Sequence, residues 1–226
     1  MERMNNLQKP TVALCLGLAA GILPTAVTAS SAYPFYFELE FEQQRIPLEG
    51  GTRLEANSFG FSYREHVTPW IGLALRLGRL GAEHEYDSTA LNFDPSGYYA
   101  GLGFNSRTAE RNRLQAGLDL EYNYYDSREE VGGDTLELDW TQGEARLWAS
   151  LRLGGGFKFY GCVFALSVEA EQELKGTAAS QQDLDNRDDS GQCAGLILET
   201  ADRGVVGIEA SGGARQGGRI YFGKYF

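Results

Sequence analysis

Apolar and polar residues alternate along most of this chain with a period of two. Between residues 33 and 47, Phe35, Phe37, Leu39 and Phe41 share one parity and Tyr36, Glu38, Glu40 and Glu42 the other. Successive side chains of a strand point to opposite faces, so the stretch predicts a strand with one apolar and one acidic face. A tight turn at Glu49-Gly50-Gly51 leads to a second strand at about residues 53–64. There Phe59, Phe61 and Tyr63 take one parity while Leu54 and Ala56 take the other, a conflict that a bulge would resolve. A third strand over residues 70–79 sets Ile71, Leu73, Leu75 and Leu77 against Gly72, Ala74, Arg76 and Gly78.

The same alternation continues towards the carboxy-terminus. A polar loop over residues 81–96 precedes Tyr98, Ala100, Leu102 and Phe104, which alternate with Tyr99, Gly101, Gly103 and Asn105. After a turn at residues 108–112, Leu114, Ala116, Leu118, Leu120 and Tyr122 alternate with Gln115, Gly117, Asp119, Glu121 and Asn123. A hairpin over residues 127–134 follows. Ala145, Leu147, Ala149, Leu151 and Leu153 then oppose Glu144, Arg146, Trp148, Ser150 and Arg152, and Gly154-Gly155-Gly156 makes a short turn. Phe164, Leu166, Val168 and Ala170 are read as the outward set of the next strand, against Ala165, Ser167, Glu169 and Glu171. A hydrophilic loop over residues 173–192 separates it from Ala194, Leu196 and Leu198. Val206, Ile208 and Ala210 alternate with Gly207, Glu209 and Ser211, and a Gly-rich link reaches the last strand.

That last strand, residues 217–226, places Ile220, Phe222 and Phe226 on one face and Arg219, Tyr221, Gly223 and Tyr225 on the other. It resembles the carboxy-terminal strand signal of Gram-negative outer-membrane β-barrels, in which alternating apolar residues end on an aromatic, usually Phe. Lys224 departs from that pattern, standing where an outward apolar residue is usual, and near a rim its ammonium would snorkel to the headgroups. The resemblance implies an all-β fold: a transmembrane antiparallel up-and-down β-barrel of ten strands, with eight the alternative if residues 194–211 are less regular. It also implies an outer-membrane location reached through the periplasm, a monomer, contact with outer-membrane lipids and lipopolysaccharide, and insertion by the β-barrel assembly machinery acting on Ile220, Phe222 and Phe226. An even strand number puts both termini on the periplasmic side. A soluble β-sandwich or lipocalin-like barrel is the competing fold for any alternating chain. The mixture of glycines and charges on the polar parity fits a narrow lumen better than a solvent face.

Residues 1–32 read as a secretory signal peptide and residues 33–226 as the barrel. Arg3 and Lys9 open the first segment, an apolar run spans residues 11–26, and Ser30-Ser31-Ala32 fits a cleavage site. Cys15 follows the large Leu14, which argues against lipidation. No run of about 18 apolar residues occurs in residues 33–226, so a helical span is excluded there. The formal charge is −11 over 226 residues. With no basic stripe, nucleic acid is not an expected partner. Cys162 and Cys193 are expected to remain unpaired, because a loop centred near residue 181 sets Cys162 opposite Thr200 and the two thiols on opposite faces.

Three groups of residues carry candidate chemistry. Arg76, Arg146, Arg152 and Arg219 share the inward parity with Glu38, Glu40, Asp119, Glu121, Glu144, Glu169, Glu199 and Glu209. Charges enclosed in a lumen must be paired or hydrated, so an ion-pair network is expected, either as structural filling or as a narrow cation-preferring conduit. Glu83-His84-Glu85, near Ser88 and Thr89, makes His84 the candidate catalytic residue for acyl transfer or hydrolysis on lipid A at the outer rim. The bland reading is an exposed histidine, because no His-Ser-Asn run like that of lipid A deacylases is present; His66 lies in an expected turn. The segment from Asp183 to Asp189 is an acidic tip without the glycine and glutamate of an EF-hand, so no metal site or cofactor is expected. Tyr33, Trp70, Tyr98, Tyr124, Trp140 and Phe226 are expected in interfacial girdles. The expected function is non-enzymatic: envelope integrity, surface interaction or restricted solute passage, with lipid modification as the alternative.

Overall fold

The structure is a computed structural model that describes residues 35–49, 52–84, 94–176 and 179–226. The segment assigned to the signal peptide and the girdle residue Tyr33 lie outside the described residues. The first strands are β1 (Phe35–Pro47), β2 (Arg53–Thr68), β3 (Ile71–His84) and β4 (Ser96–Arg107). The long strands β5 (Leu114–Val131), β6 (Asp134–Gly154) and β7 (Phe157–Lys175) follow. Then come β8 (Ser180–Asp185), β9 (Ser190–Glu199), β10 (Gly204–Gly213) and β11 (Gln216–Tyr225).

Ten of these close into a ring in the order β6-β5-β4-β3-β2-β1-β11-β10-β9-β7, with β6 pairing β7. The short β8 pairs only with the outer part of β7, from Glu169↔Asp185 to Leu174↔Ser180. All pairings are antiparallel, as the ten-strand expectation requires. Paired residues run from Glu40 through Gly60, Gly78, Tyr99 and Tyr125 to Trp140 in one direction. In the other they run through Tyr221, Gly207, Ile197 and Lys158 to Arg152. The two paths meet β6 twelve residues apart, between Trp140 and Arg152, a stagger that tilts ten strands by roughly 40° from the barrel axis.

Closure of the ring rests on the chain's last residues. β1 and β11 pair from Tyr36↔Tyr225 to Arg45↔Gln216. The Phe226 N–H donates to the Phe35 carbonyl at 3.0 Å, and the two rings stack at 5.6 Å. Both described ends of the chain therefore lie at one end of the barrel, here called the terminal end. The β5–β6 turn at the opposite, distal end uses Gly132 (φ 65°) and Gly133 (φ 94°), a left-handed pair that other residues adopt at a cost.

The outward face is an apolar belt. Leu39, Phe41, Phe61, Leu73, Leu102, Leu147, Val163, Ile208 and Phe222 are all exposed. So much exposed apolar surface wrapped around a closed sheet is stable against lipid, not water, and it makes this a transmembrane barrel. Tyr98 and Tyr124 cap the belt distally, and Lys224 folds its ammonium over the Phe226 ring at 5.7 Å. Beyond Tyr124, β5 to β8 continue as a paired blade.

Several expectations are corrected here. Trp140 does not join a girdle: it is 1 % exposed and stacks on Tyr125 at 4.4 Å inside the barrel. The β7 faces are inverted, with Phe164, Leu166, Val168 and Ala170 buried in the interior and Glu169 exposed outside. In β2 no bulge separates Leu54 and Ala56 from Gly60 and Ser62; the register with β1 is unbroken and all four face inward. The loop expected over residues 173–192 is largely strand, because β7 reaches Lys175 and β8 turns straight back along it. The β7–β8 pairing, out to Leu174↔Ser180, sets a different register from the expected one, and Cys162 stands opposite Cys193, with Cα atoms 4.9 Å apart and a disulfide between them.

Candidate functional site in the lumen

The interior has three levels. At the distal end an apolar plug fills the barrel: Ile46 and Leu48 of β1 and its turn, Leu54 of β2, Leu138 and Trp140 of β6, Val168 of β7 and Leu184 of β8 are buried. The β8–β9 break helps to seal it. Asn186, 3 % exposed, bridges to Leu48, accepts the Val168 N–H at 2.9 Å and donates to the Leu166 and Asp188 carbonyls. The expected acidic tip at residues 183–189 is thus partly a strand and partly this buried latch.

The middle level is the charge network. Arg76 on β3 lies 2.6 Å from Glu40 on β1 and 2.7 Å from Glu121 on β5. Arg146 and Glu144, two residues apart on the inward face of β6, lie 2.7 Å from each other, and Arg146 reaches Glu209 on β10 at 3.1 Å. Arg219 on β11 joins the two groups, 3.5 Å from Glu40 and 3.4 Å from Glu209. Tyrosines satisfy further carboxylate lone pairs: Tyr99 donates to Glu40 at 2.8 Å and Tyr160 donates to Glu209. Tyr99 reaches that far because Gly60 and Gly78 leave room; a Cβ at Gly60 would stand 2.0 Å from its hydroxyl. Each member sits in a wall, and together they cross the bore. Buried charges that fail to find partners are costly, so the density of contacts explains how these residues stay enclosed.

Two network members were not anticipated. Arg215, in the turn between β10 and β11, dips into the lumen and lies 2.9 Å from Glu144, 3.3 Å from Glu42 and 3.8 Å from Glu209. Its Gly-rich surroundings read as a surface link, so only the count of unpaired acids on the inward parity hinted at it. Glu42 also lies 3.6 Å from Arg76. Among the predicted members, Glu38 accepts a hydrogen bond from Tyr36 at 2.7 Å and Asp119 lines the space below; Glu169 lies outside altogether.

At the terminal end the lumen opens into a polar cavity of about 170 Å³, lined by residues of the wall including Arg64, Asp119, Lys158 and Tyr225. A separate rim cluster guards it. Glu199 lies 2.5 Å from Lys158 and 3.1 Å from Arg152, and Arg152 Nε donates to Glu110 in the β4–β5 turn at 2.9 Å. That hydrogen bond holds the Glu110 carboxyl below the usual carboxylate range. His66, expected in a turn, is instead a β2 residue opposite Gly72 and lines the same cavity. His84 ends β3 opposite Leu54, and its side chain lies outside the described residues.

No protein-family model matches the chain, and no curated protein matches it. Solved structures of outer-membrane barrels do. The translocator domain of the autotransporter NalP from Neisseria meningitidis is similar over 96 % of this chain and 95 % of that one, at 12 % identity and a TM-score of 0.49. The outer membrane protease OmpT from Escherichia coli covers 90 % of this chain and all of its own length, at 9 % identity and a TM-score of 0.49. The outer membrane protein OprG from Pseudomonas aeruginosa covers 86 % of this chain and 96 % of its own, at 12 % identity and a TM-score of 0.47. The chain is a small antiparallel barrel of the outer-membrane type, as its closed sheet and apolar belt require.

Proposed function

We propose that this chain is a closed barrel of the outer membrane that works through the face it shows beyond the membrane, in surface interaction and envelope integrity, and not as an open path for solutes. The observation that carries this is the filling of the bore by the Arg146–Glu209 and Arg215–Glu144 contacts, which reach from β6 to β10 and the β10–β11 turn, together with the Glu40–Arg76 pair along the wall, beneath an apolar plug. An ion entering such a lumen would have to displace partners from buried charges, and then pass the layer of buried side chains on the distal side. The blade is the surface this leaves. Across its outward side Asp126, Asp139, Glu171 and Asp183 stand directly opposite one another on β5, β6, β7 and β8. Like charges in that arrangement repel, so the row favours a cationic partner, including divalent ions shared with lipopolysaccharide phosphates.

Planar-bilayer recording on the refolded barrel tests the reading. No conductance steps are expected from the unaltered protein. Steady, cation-selective steps would overturn the closed-barrel assignment and restore the conduit.

A further inference from the structure

We infer that the cavity at the terminal end of the lumen binds a small organic monocarboxylate with an aromatic or apolar body. The inference starts from an inventory of its cations. Lys158 lies 2.5 Å from Glu199, Arg146 lies 2.7 Å from Glu144, and Arg219 lies 3.4 Å from Glu209. Arg64 and Arg107 are different. Neither has a carboxylate within ion-pair distance among the described residues, yet both line the cavity. Arg64 Nε is buried without a hydrogen-bond partner, and its guanidinium sits 6.0 Å from the centre of the Tyr36 ring. Arg107 spends only Nε, donating to the Pro69 carbonyl at 3.3 Å, and keeps the rest of its fork.

Two guanidinium groups on β2 and β4, the strands on either side of β3, with unspent planar donors are the standard means of holding an oxyanion. The charge of that oxyanion is limited by the rest of the wall. Glu38, Asp119 and Glu121 line the same cavity, and they repel a second negative charge while tolerating one that is paired with arginine. The body of the ligand meets Trp148, Ile197 and Val205, which are also in the lining. The space of about 170 Å³ is enough for a benzoate-sized molecule. The plug closes the far side, so a ligand enters and leaves by the terminal end.

Titration calorimetry on the refolded full-length barrel in detergent tests the site, with benzoate as probe, benzamide as its neutral counterpart and inorganic phosphate as the alternative anion. Saturable benzoate binding is expected at millimolar concentration or below, weakened about tenfold or more in Arg64→Gln, with no binding of benzamide. Heat-modifiable gel migration verifies that each variant is folded. If Arg64→Gln does not fold, Arg107→Gln at the rim gives the same readout. Absence of benzoate binding, equal binding by folded variant and parent, or stronger binding of phosphate would each overturn the assignment. A conducting barrel would overturn the closed reading above and leave this result unaffected.

Discussion

Arg215 Nη1 lies 2.9 Å from the Glu144 carboxylate, joining the β10–β11 turn to β6 on the far side of the bore. The guanidinium side chain is 5 % exposed and the carboxylate 3 %. It also stands 5.2 Å from the centre of the Phe164 ring, so it rests between the charge network and the apolar plug. A single substitution, Arg215→Met, leaves Glu144 to Arg146 alone and Glu42 to Arg76 alone, with one positive charge fewer in the buried network. The expected loss is about 3–5 kcal/mol, the range for breaking a buried pair from one side. Urea unfolding in lipid vesicles, followed by tryptophan fluorescence, measures it. Adding Glu144→Gln to Arg215→Met should recover part of the loss; a double variant weaker than the single one would show that charge pairing is not the cause.

The Cys162–Cys193 disulfide joins β7 to β9 on the interior side, next to the break where β8 leaves the ladder. The register between β7 and its partner shifts by one residue there, from Glu169↔Asp185 to Ala165↔Ser190 across the Asn186 latch. A covalent tie at that point fixes which alternation faces inward. Cys162→Ser with Cys193→Ser should cost about 3–4 kcal/mol for a loop of 31 residues. Non-reducing mass spectrometry should find both thiols of the parent protein protected from alkylation after denaturation. Free thiols at these positions would remove the tie.

The outer wall was legible because lipid demands it. Ile71, Leu73, Leu75 and Leu77 alternate with small or charged residues, and no packing partner competes for their direction. The inward parity likewise exposed Glu40, Arg76, Glu121, Arg146, Glu209 and Arg219. Alternation reports that two faces differ, but not which one is inside, and the faces of β7 are therefore opposite to the expectation. Towards its distal end the inward side of β7 packs into the apolar plug while Ser167, Glu169 and Glu171 stand outside, so Phe164 to Ala170 reverse the rule that holds lower down. The same reversal hid Trp140 and placed Glu169 inside. Arg215 was missed because a turn residue that folds back into a bore leaves no periodic trace. Arg64 was missed because the mixed parity of β2 obscured its direction.

Phe226 closes the barrel through its backbone as well as its ring. Its N–H donates to the Phe35 carbonyl at 3.0 Å, and its ring meets Phe37 edge-on at 5.9 Å besides stacking on Phe35. Deleting Phe226 removes the last rung between β11 and β1 together with this aromatic seam. We expect the fraction of heat-modifiable protein in outer-membrane preparations to fall several-fold. Phe226→Tyr, which retains ring and backbone, should assemble nearly as well as the parent. Unchanged insertion of the truncated chain would remove the assembly role from the terminal aromatic.

The acidic row on the blade gives a pH dependence with a defined sign. Asp139 lies beyond the belt; its carboxyl is raised above the usual aspartate value, first by burial and then by the carboxylates of Asp126, Glu137 and Glu171. A raised acid holds its proton more tightly in the folded blade than in the unfolded chain. The resulting penalty is therefore absent below the ordinary aspartate value of 3.8, grows as pH rises through the window above it, and is complete at neutral pH. Asp139→Asn should accordingly slow proteolysis and hydrogen exchange of the β5–β8 blade at pH 7, and the difference from the parent should vanish near pH 4. Because the row is close to water, added salt should shrink the effect as well. A variant that protects the blade equally at both pH values would mean that the asparagine acts through a new hydrogen bond and that the opposed carboxylates do not strain the blade.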